Sequence, residues 1–449
     1  MARRCGACEG ERGAVCNHGT GRDEGGEALL ESGQMKSMIS SSPSAAFRLA
    51  GESSGDRATA VAAVPLLDLR RQYASLREEV LAAITRVCDS QGFILGPEVE
   101  ALEREIAALT GAVAAVGCAS GTEALWLALV AAGVKPGDAV VTTAFSFFAS
   151  ASSIVRAGAT PILVDVEPGT LNLDAELVRK RMAEKRPANL RAIMPVHLYG
   201  QCANMDALKE VAEEFGAVMV EDAAQAIGAK WRERGAGAMG ATAAFSFYPT
   251  KNLSAYGDAG MVTTMQPEMA EHMRRLRNHG SPRRYYHDEF GWNGRMDAIQ
   301  AAVLRVKLRY IEEWNRARQR HAATYDRKFA EAGLAGASSS GEVGAEARRK
   351  PVRLPERSPD ATHVFHQYVI RAERRDELRK FLTDRKIGTE VYYPLPLHLQ
   401  PVFAYLGLRE GDLPVAERAA KEVLALPMFP ELTEDEIGFV VASVAEFYS

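Results

Sequence analysis

The sequence predicts an α/β protein, with a mostly parallel sheet covered by helices and a smaller α+β segment after it. Three observations lead there. Apolar runs of strand length recur from Val64 onward, helical segments such as Met205 to Phe215 separate several of them, and the runs are continuously apolar rather than alternating. A strand covered on both faces reads that way, and strand–helix alternation makes a parallel sheet. The runs are 139–143, 161–165, 192–196, 217–221, 243–247 and 261–264. In such sheets ligands bind beyond the carboxyl ends of the strands, so the chemistry is expected just after these runs.

The remaining segments follow in order. Residues 1–63 are rich in Gly and Ser, with Phe47 as their aromatic residue, and predict a disordered extension because so little apolar surface cannot offset chain entropy. Met35 and Met38 offer downstream starts within it. Residues 64–310 form the expected large domain and 311–449 a smaller one. A long, broken helical stretch runs from about Met296 to Ala332, and 336–361 is a surface loop. The end of the chain carries a strand from Val364 to Ile370 and two or three helices.

The 449 residues carry 54 Lys and Arg against 58 Asp and Glu, a net charge of -4. That balance argues against general affinity for nucleic acid or an anionic membrane. No apolar run approaches the roughly 20 residues of a bilayer span, and no secretory signal is visible, so the cytoplasm is the expected compartment. Six cysteines do not make a disulfide scaffold. Cys5, Cys8, Cys16 and His18 have zinc-ligand chemistry, but the segment around them offers no small fold to hold a metal.

Three sites carry chemistry. In Ala119-Ser-Gly-Thr-Glu-Ala-Leu125, Ser120 and Glu123 fit a capping box, and a helix start with Gly121 and Thr122 offers N–H groups to a phosphate. In Glu221-Asp-Ala-Ala-Gln225 an acid ends a strand, a place equally suited to structure, metal binding or catalysis. In Phe245-Ser-Phe-Tyr-Pro-Thr-Lys-Asn252 a strand runs into a hydroxyl-rich turn bearing Lys251, followed by Gly257-Asp-Ala-Gly260. Taken together, a phosphate cradle, a strand-end acid and a later lysine meet the needs of pyridoxal phosphate. Lysine forms the Schiff base, and the acid keeps the pyridine nitrogen protonated so that the ring accepts electrons.

These stretches resemble the DegT/StrS nucleotide-sugar aminotransferases, fold-type-I pyridoxal-phosphate enzymes similar to aspartate aminotransferase. The likeness extends through Pro65-Leu-Leu-Asp-Leu69, Phe93-Ile-Leu-Gly-Pro97, Pro195-Val-His-Leu-Tyr-Gly200, Asn293-Gly-Arg-Met-Asp297, His366-Gln-Tyr368, Tyr393-Pro-Leu-Pro-Leu-His-Leu399 and Leu426-Pro-Met428. The resemblance implies that Lys251 bonds to the cofactor and shuttles the proton, that Asp222 pairs with the pyridine nitrogen, and that Gln225 approaches the ring hydroxyl. It implies phosphate contacts from Gly121, Thr122 and Ser246, and ring stacking by Phe147. Asn293 would reach the cofactor phosphate of a second subunit, making the active unit a homodimer. His197, Arg295, Tyr393 and His398 are the substrate candidates, although His197 reads equally well as a turn cap. Ala259 stands where the family often has Gly, and Tyr392 where several relatives carry His.

The implied reaction passes an amino group from an amino-acid donor, L-glutamate by resemblance, to a nucleotide-linked ketosugar, with a lean toward 3-keto sugars. The alternatives are a cyclitol aminotransferase, a sugar dehydratase of the same family, or a non-catalytic regulatory relative. Dehydratases carry histidine at the lysine position, so Lys251 argues against that reading. Gly235-Ala-Gly-Ala-Met-Gly240 matches a dinucleotide fingerprint but lacks a strand before it and a helix after it. His363 and His366 read as a structural pair rather than a metal site, and Cys118 and Cys202 as small fillers.

Overall fold

The computed structural model describes residue 61, residues 63–335 and residues 350–449. The expected extension, its Cys5, Cys8, Cys16 and His18 cluster, and positions 336–349 of the expected loop lie outside the described residues.

Along the chain, α1 (Leu69–Ser90) and α2 (Pro97–Thr110) lead into β1 (Ala114–Cys118), α3 (Gly121–Ala131), β2 (Ala139–Thr143), α4 (Phe148–Arg156) and β3 (Thr160–Val164). Then come α5 (Ala175–Lys185), β4 (Leu190–Met194), α6 (Met205–Phe215) and β5 (Val218–Asp222). Two short strands, β6 (Lys230–Trp231) and β7 (Arg234–Gly235), precede β8 (Thr242–Ser246) and β9 (Gly260–Thr264). The order across the main sheet is β1-β9-β8-β5-β4-β2-β3. β3, β2, β4, β5 and β8 pair in parallel, and β9 runs antiparallel to both of its neighbours, β8 and β1.

Neighbouring residues on each strand feed opposite cores. Val141, Ile193, Met219, Ala243 and Met261 pack with α1, α2, α5 and α6, whereas Val140, Met194, Val220, Ala244 and Val262 pack with α3 and α4. Burial on both faces is why the strands read as unbroken apolar runs. It also turns Glu221 and Asp222, adjacent at the end of β5, toward opposite sides.

After β9 the chain forms α7 (Pro267–Leu276), α8 (Ala298–Leu308) and α9 (Ile311–Glu331). The break expected in the long helix falls at Arg309 and Tyr310. The first turn of α9 packs Ile311 and Trp314 into the sheet core, and its later turns put Tyr325 and Phe329 into a second core. That second core surrounds β10 (Val352–Arg353), β12 (Tyr368–Ala372) and β13 (Val423–Leu426), with β11 (Ala361–Thr362) pairing β6 instead. It is completed by α10 (Arg375–Asp384), α11 (Pro414–Glu422) and α12 (Glu434–Tyr448). Two expectations need correction. The strand expected from Val364 begins at Tyr368, because Phe365 takes a positive φ of 45° and turns the chain. Val64, expected to open the first domain, bonds across to Lys386 and Gly388 and packs in the second core.

A carboxylate ties the two cores together. Asp165, just past β3, accepts hydrogen bonds from Val415 N–H at 2.9 Å and Ala416 N–H at 2.8 Å, which are orphan donors of the first turn of α11. The preceding residue of α11, Leu413, gives no side-chain cap, so the cap comes from 250 residues away. Replacing Asp165 with Ala should therefore cost about 1–2 kcal/mol, the worth of an N-cap, read as a lower denaturant midpoint. An unchanged midpoint would show that α11 holds without this cap.

Candidate active site

Four chain segments meet at the carboxyl edge of the sheet: the start of α3, the loop from β2 into α4, the end of β5, and the turn leaving β8. Gly121 and Ser246 approach each other closely. A Cβ on Gly121 would stand 2.6 Å from Ser246 Cβ and 2.8 Å from its Oγ, so only glycine fits. Gly260 on β9 is held to the same rule, since a Cβ there would lie 2.3 Å from Ser120 O. Neither takes a positive φ; both are required by closeness, not by turn geometry. Ala259 beside Gly260 also keeps an ordinary φ, which explains why a methyl is tolerated there.

Ser120 caps α3 by accepting from Glu123 N–H at 3.1 Å. The expected capping box is only half formed, because the Glu123 carboxylate turns instead to Arg156, at 2.6 and 3.2 Å. Among the described residues the N–H groups of Gly121 and Thr122 have no hydrogen-bond acceptor, and Thr122 is exposed. With the helix dipole behind them, these donors and the Ser246 hydroxyl suit a phosphate.

Asp222 is buried at the end of β5. Ser150 Oγ donates to its Oδ2 at 2.7 Å and Ala224 N–H to its Oδ1 at 3.2 Å. Ser146 and Ser150 share a 2.8 Å hydrogen bond. A hydroxyl has one proton, and that of Ser150 goes to Asp222, so the chain runs from Ser146 to Ser150 to Asp222. Burial pushes the Asp222 carboxyl above its usual range, and these bonds and the Lys251 charge work against that rise. Lys251 shifts the opposite way. Burial lowers its amine to about 8, with Asp222 opposing the shift. Its Nζ makes no hydrogen bond among the described residues. At pH 7 a pKa near 8 leaves about a tenth of the amine neutral, several hundredfold more than an ordinary lysine has.

Gln225 and Tyr393 lie next to this pair. Gln225 Oε1 accepts from Tyr199 N–H at 2.6 Å and its Nε2 donates to Tyr393 Oη at 3.1 Å. The Tyr393 ring stands 6.2 Å from that of Phe147, which heads α4 and is 58% exposed. Arg295 donates to Asn293 Oδ1 at 3.1 Å and to Asn278 Oδ1 at 3.4 Å, and Asn293 is exposed. Gly294, between them, accepts from Ala119 N–H at 3.0 Å, so this loop lies against the approach to α3.

Two of the substrate candidates are corrected. His197 is fully buried, with Nε2 3.0 Å from Glu221 Oε2 and Nδ1 accepting from Ala203 N–H at 3.2 Å. With Nδ1 an acceptor, Nε2–H donates to Glu221, and neither nitrogen is left for a ligand. His398 is fully buried with Nε2 3.0 Å from Glu417 Oε1, while its Nδ1 has no partner among the described residues, so burial alone keeps it from a ligand. Glu221 also accepts from Gly237, Met239 and Gly240 N–H groups at 2.9, 2.8 and 2.6 Å. The glycine-rich 235–240 segment thus encloses a carboxylate of its own chain. His363 and His366 are buried, and no group of three metal-ligating side chains occurs among the described residues. Burial raises the Cys118 and Cys202 thiols, consistent with inert filling. Sequence reasoning missed Ser146, Ser150 and Tyr199, although the i, i+4 serines at the start of α4 were a readable signal.

The residues present fit pyridoxal phosphate. A helix start cleared by glycine, an acceptor-only carboxylate, an exposed aromatic ring and a desolvated amine are the donors and acceptors that cofactor requires.

Comparisons with known proteins bear on this site. Residues 74–445 match the model of the DegT/DnrJ/EryC1/StrS aminotransferase family. A pleiotropic regulatory protein of Geobacillus stearothermophilus is 50% identical over 86% of this chain and 98% of its own length. The dTDP-3-amino-3,4,6-trideoxy-alpha-D-glucose transaminase of Streptomyces venezuelae is 44% identical over 86% of this chain and 96% of its own. Among solved structures, DesV of S. venezuelae in complex with a ketimine intermediate is 44% identical, with a TM-score of 0.79 over 86% of this chain and 99% of that one. The ntda protein of Bacillus subtilis with bound cofactor PMP is 28% identical, with a TM-score of 0.76 over 87% of each chain. With the family model covering most of its length, this chain belongs to the DegT/DnrJ/EryC1/StrS aminotransferase family.

Proposed function

We propose that this protein is a pyridoxal-phosphate-dependent aminotransferase that moves an amino group from an amino-acid donor, L-glutamate, to a keto carbon of a nucleotide-linked sugar. The observation that carries this reading is that half-buried Lys251 and buried Asp222 feel each other's charge at the carboxyl edge of the sheet and are shifted in opposite directions. When bound, the cofactor supplies the electron sink that makes a proton on the amine-bearing carbon removable.

The protein supplies everything else. Asp222, braced by Ser150 and the Ala224 N–H, would present an anion to a protonated ring nitrogen and would be relieved of its burial cost by that positive charge. Gly121, Thr122 and Ser246 would receive the phosphate, and Phe147 would cover a ring face. Gln225, turned by Tyr199 and Tyr393, would approach the ring hydroxyl. Lys251 Nζ, with its pKa lowered to about 8, takes a proton from one carbon and returns it to another, a role that needs both protonation states near neutral pH.

Asn293 and Arg295 belong to the partner's site in this reading, and the working unit is a homodimer. Exposed Tyr285, Tyr286, Phe290 and Trp292 on the same loop support it, because so much aromatic surface on one segment favours a protein neighbour. The name of the S. venezuelae relative points to amination at the sugar's C3. A regulatory reading has one observation on its side, the name of the G. stearothermophilus relative. Binding alone, however, requires neither a lowered lysine nor an anion for the ring nitrogen.

Turnover of L-glutamate with a panel of UDP- and dTDP-linked 3- and 4-ketosugars tests the proposal. The wild-type chain should release 2-oxoglutarate and an aminosugar with at least one member, and Lys251→Ala should not. No turnover across the panel, or full turnover by Lys251→Ala, would refute it. The dimer is checked by mixing Lys251→Ala with Asn293→Ala, each expected to be inactive or nearly so. Half of the randomly assorted dimers would hold one intact site, restoring about a quarter of wild-type activity. No recovery after verified subunit exchange would put Asn293 in its own subunit's site.

A further inference from the structure

The residue after Lys251 is the centre of a buried hydrogen-bond network that reaches three distant parts of the chain. Asn252 Nδ2 donates to Asn315 Oδ1 at 2.8 Å and to Val364 O at 3.1 Å, and its Oδ1 meets His366 Nδ1 at 3.2 Å. Asn315 Nδ2 in turn donates to Ile227 O at 3.0 Å. All three side chains are more than nine-tenths buried.

The two backbone carbonyls fix the direction of every bond. A carbonyl only accepts, so Ile227 O and Val364 O orient both amides, and Asn252 must present its oxygen to the histidine. His366 therefore carries its proton on Nδ1 and leaves Nε2 bare. Its ring also lines a cavity of about 60 Å³ together with Thr250, Gln367 and Tyr392. Thr250 and Asn252 flank Lys251, so His366 bonds one neighbour of the lysine and shares a cavity with the other.

We propose that His366 is a positioning residue for Lys251: its Nδ1–H holds Asn252 in place and thereby fixes the backbone from which the lysine projects. The proposal rests on Lys251 being the cofactor-bearing lysine. Without the Nδ1–H donor, Asn252 Oδ1 is left buried and unpaired, at a cost the amide escapes only by turning and breaking both Nδ2 bonds. The turn bearing Lys251 then loosens, water reaches the amine, and the burial that lowers its pKa weakens. Burial, followed by the charges of Lys251 and Arg318, holds His366 itself well below its ordinary range, so the ring stays neutral throughout.

The test compares two replacements in the full-length protein. His366→Asn retains an N–H near the Nδ1 position, and His366→Leu fills the space without one. Cofactor-free protein is mixed with pyridoxal phosphate from pH 6 to 10, the product is fixed with borohydride, and the modified peptide is identified by mass spectrometry. In the wild type, capture at Lys251 should reach half its maximal rate near pH 8. His366→Asn should keep that midpoint. His366→Leu should move it upward by about one unit, which slows capture at pH 7 about tenfold. Asn252→Ala removes the same bond from the other side and should match His366→Leu. Equal midpoints for the Asn and Leu variants would overturn the proposal and reduce His366 to packing. Wild-type capture at a different lysine would overturn the assignment of Lys251, and this proposal with it.

Discussion

At the end of β5 two adjacent carboxylates, Glu221 and Asp222, are withdrawn from water on opposite sides of the sheet, and the rest of the molecule is arranged around their demands. A buried carboxylate must be satisfied by donors or by a positive charge. Glu221 is satisfied by donors: three backbone N–H groups of the 235–240 segment and His197 close around it, holding its carboxyl below its usual range despite full burial. Among the described residues Asp222 has one hydroxyl and one N–H, and burial wins. The first carboxylate fixes the strand; the second is left with unmet need. That deficit is what a protonated ring nitrogen supplies.

Lys251 answers the same constraint with the opposite sign. Its amine is desolvated, attracted by Asp222, and carried by a turn whose next residues are anchored on both sides. Asn252 reaches Asn315, Val364 and His366, and Ser254 accepts from the buried amine of Lys307 at 2.6 Å. Positioning and pKa are thus one problem. A lysine on a loose turn would find water and an ordinary pKa near 10.4. The acid and the amine come from a strand end and from the turn beyond β8, yet both depend on helices packed behind the sheet.

The sheet was legible because burial on both faces writes itself as unbroken apolar runs. β1 escaped notice because Ala114-Ala-Val-Gly-Cys118 carries small side chains with little strand signature, and the two-residue strands are too short for any pattern. Gly121, Asp222 and Lys251 were readable since each follows a strand in a motif with its own chemistry. Ser150 lies 72 positions from Asp222, and His366 lies 114 from Asn252, so their bonds exist only in three dimensions. The surroundings of His197, read evenly as substrate contact or turn cap, were hidden for the same reason. A histidine after a strand looks the same in sequence whether it faces a ligand or a buried glutamate.

The claim at the centre of this account is that burial sets the Lys251 pKa and Asp222 moderates it. Competitive labelling of the cofactor-free protein with acetic anhydride, resolved at the Lys251 peptide across pH, measures this directly. In the wild type the amine should titrate near 8. In Asp222→Asn the neighbouring anion is gone while the burial remains, so the amine should titrate lower still. A value that stays the same or rises toward that of an ordinary lysine would contradict the account.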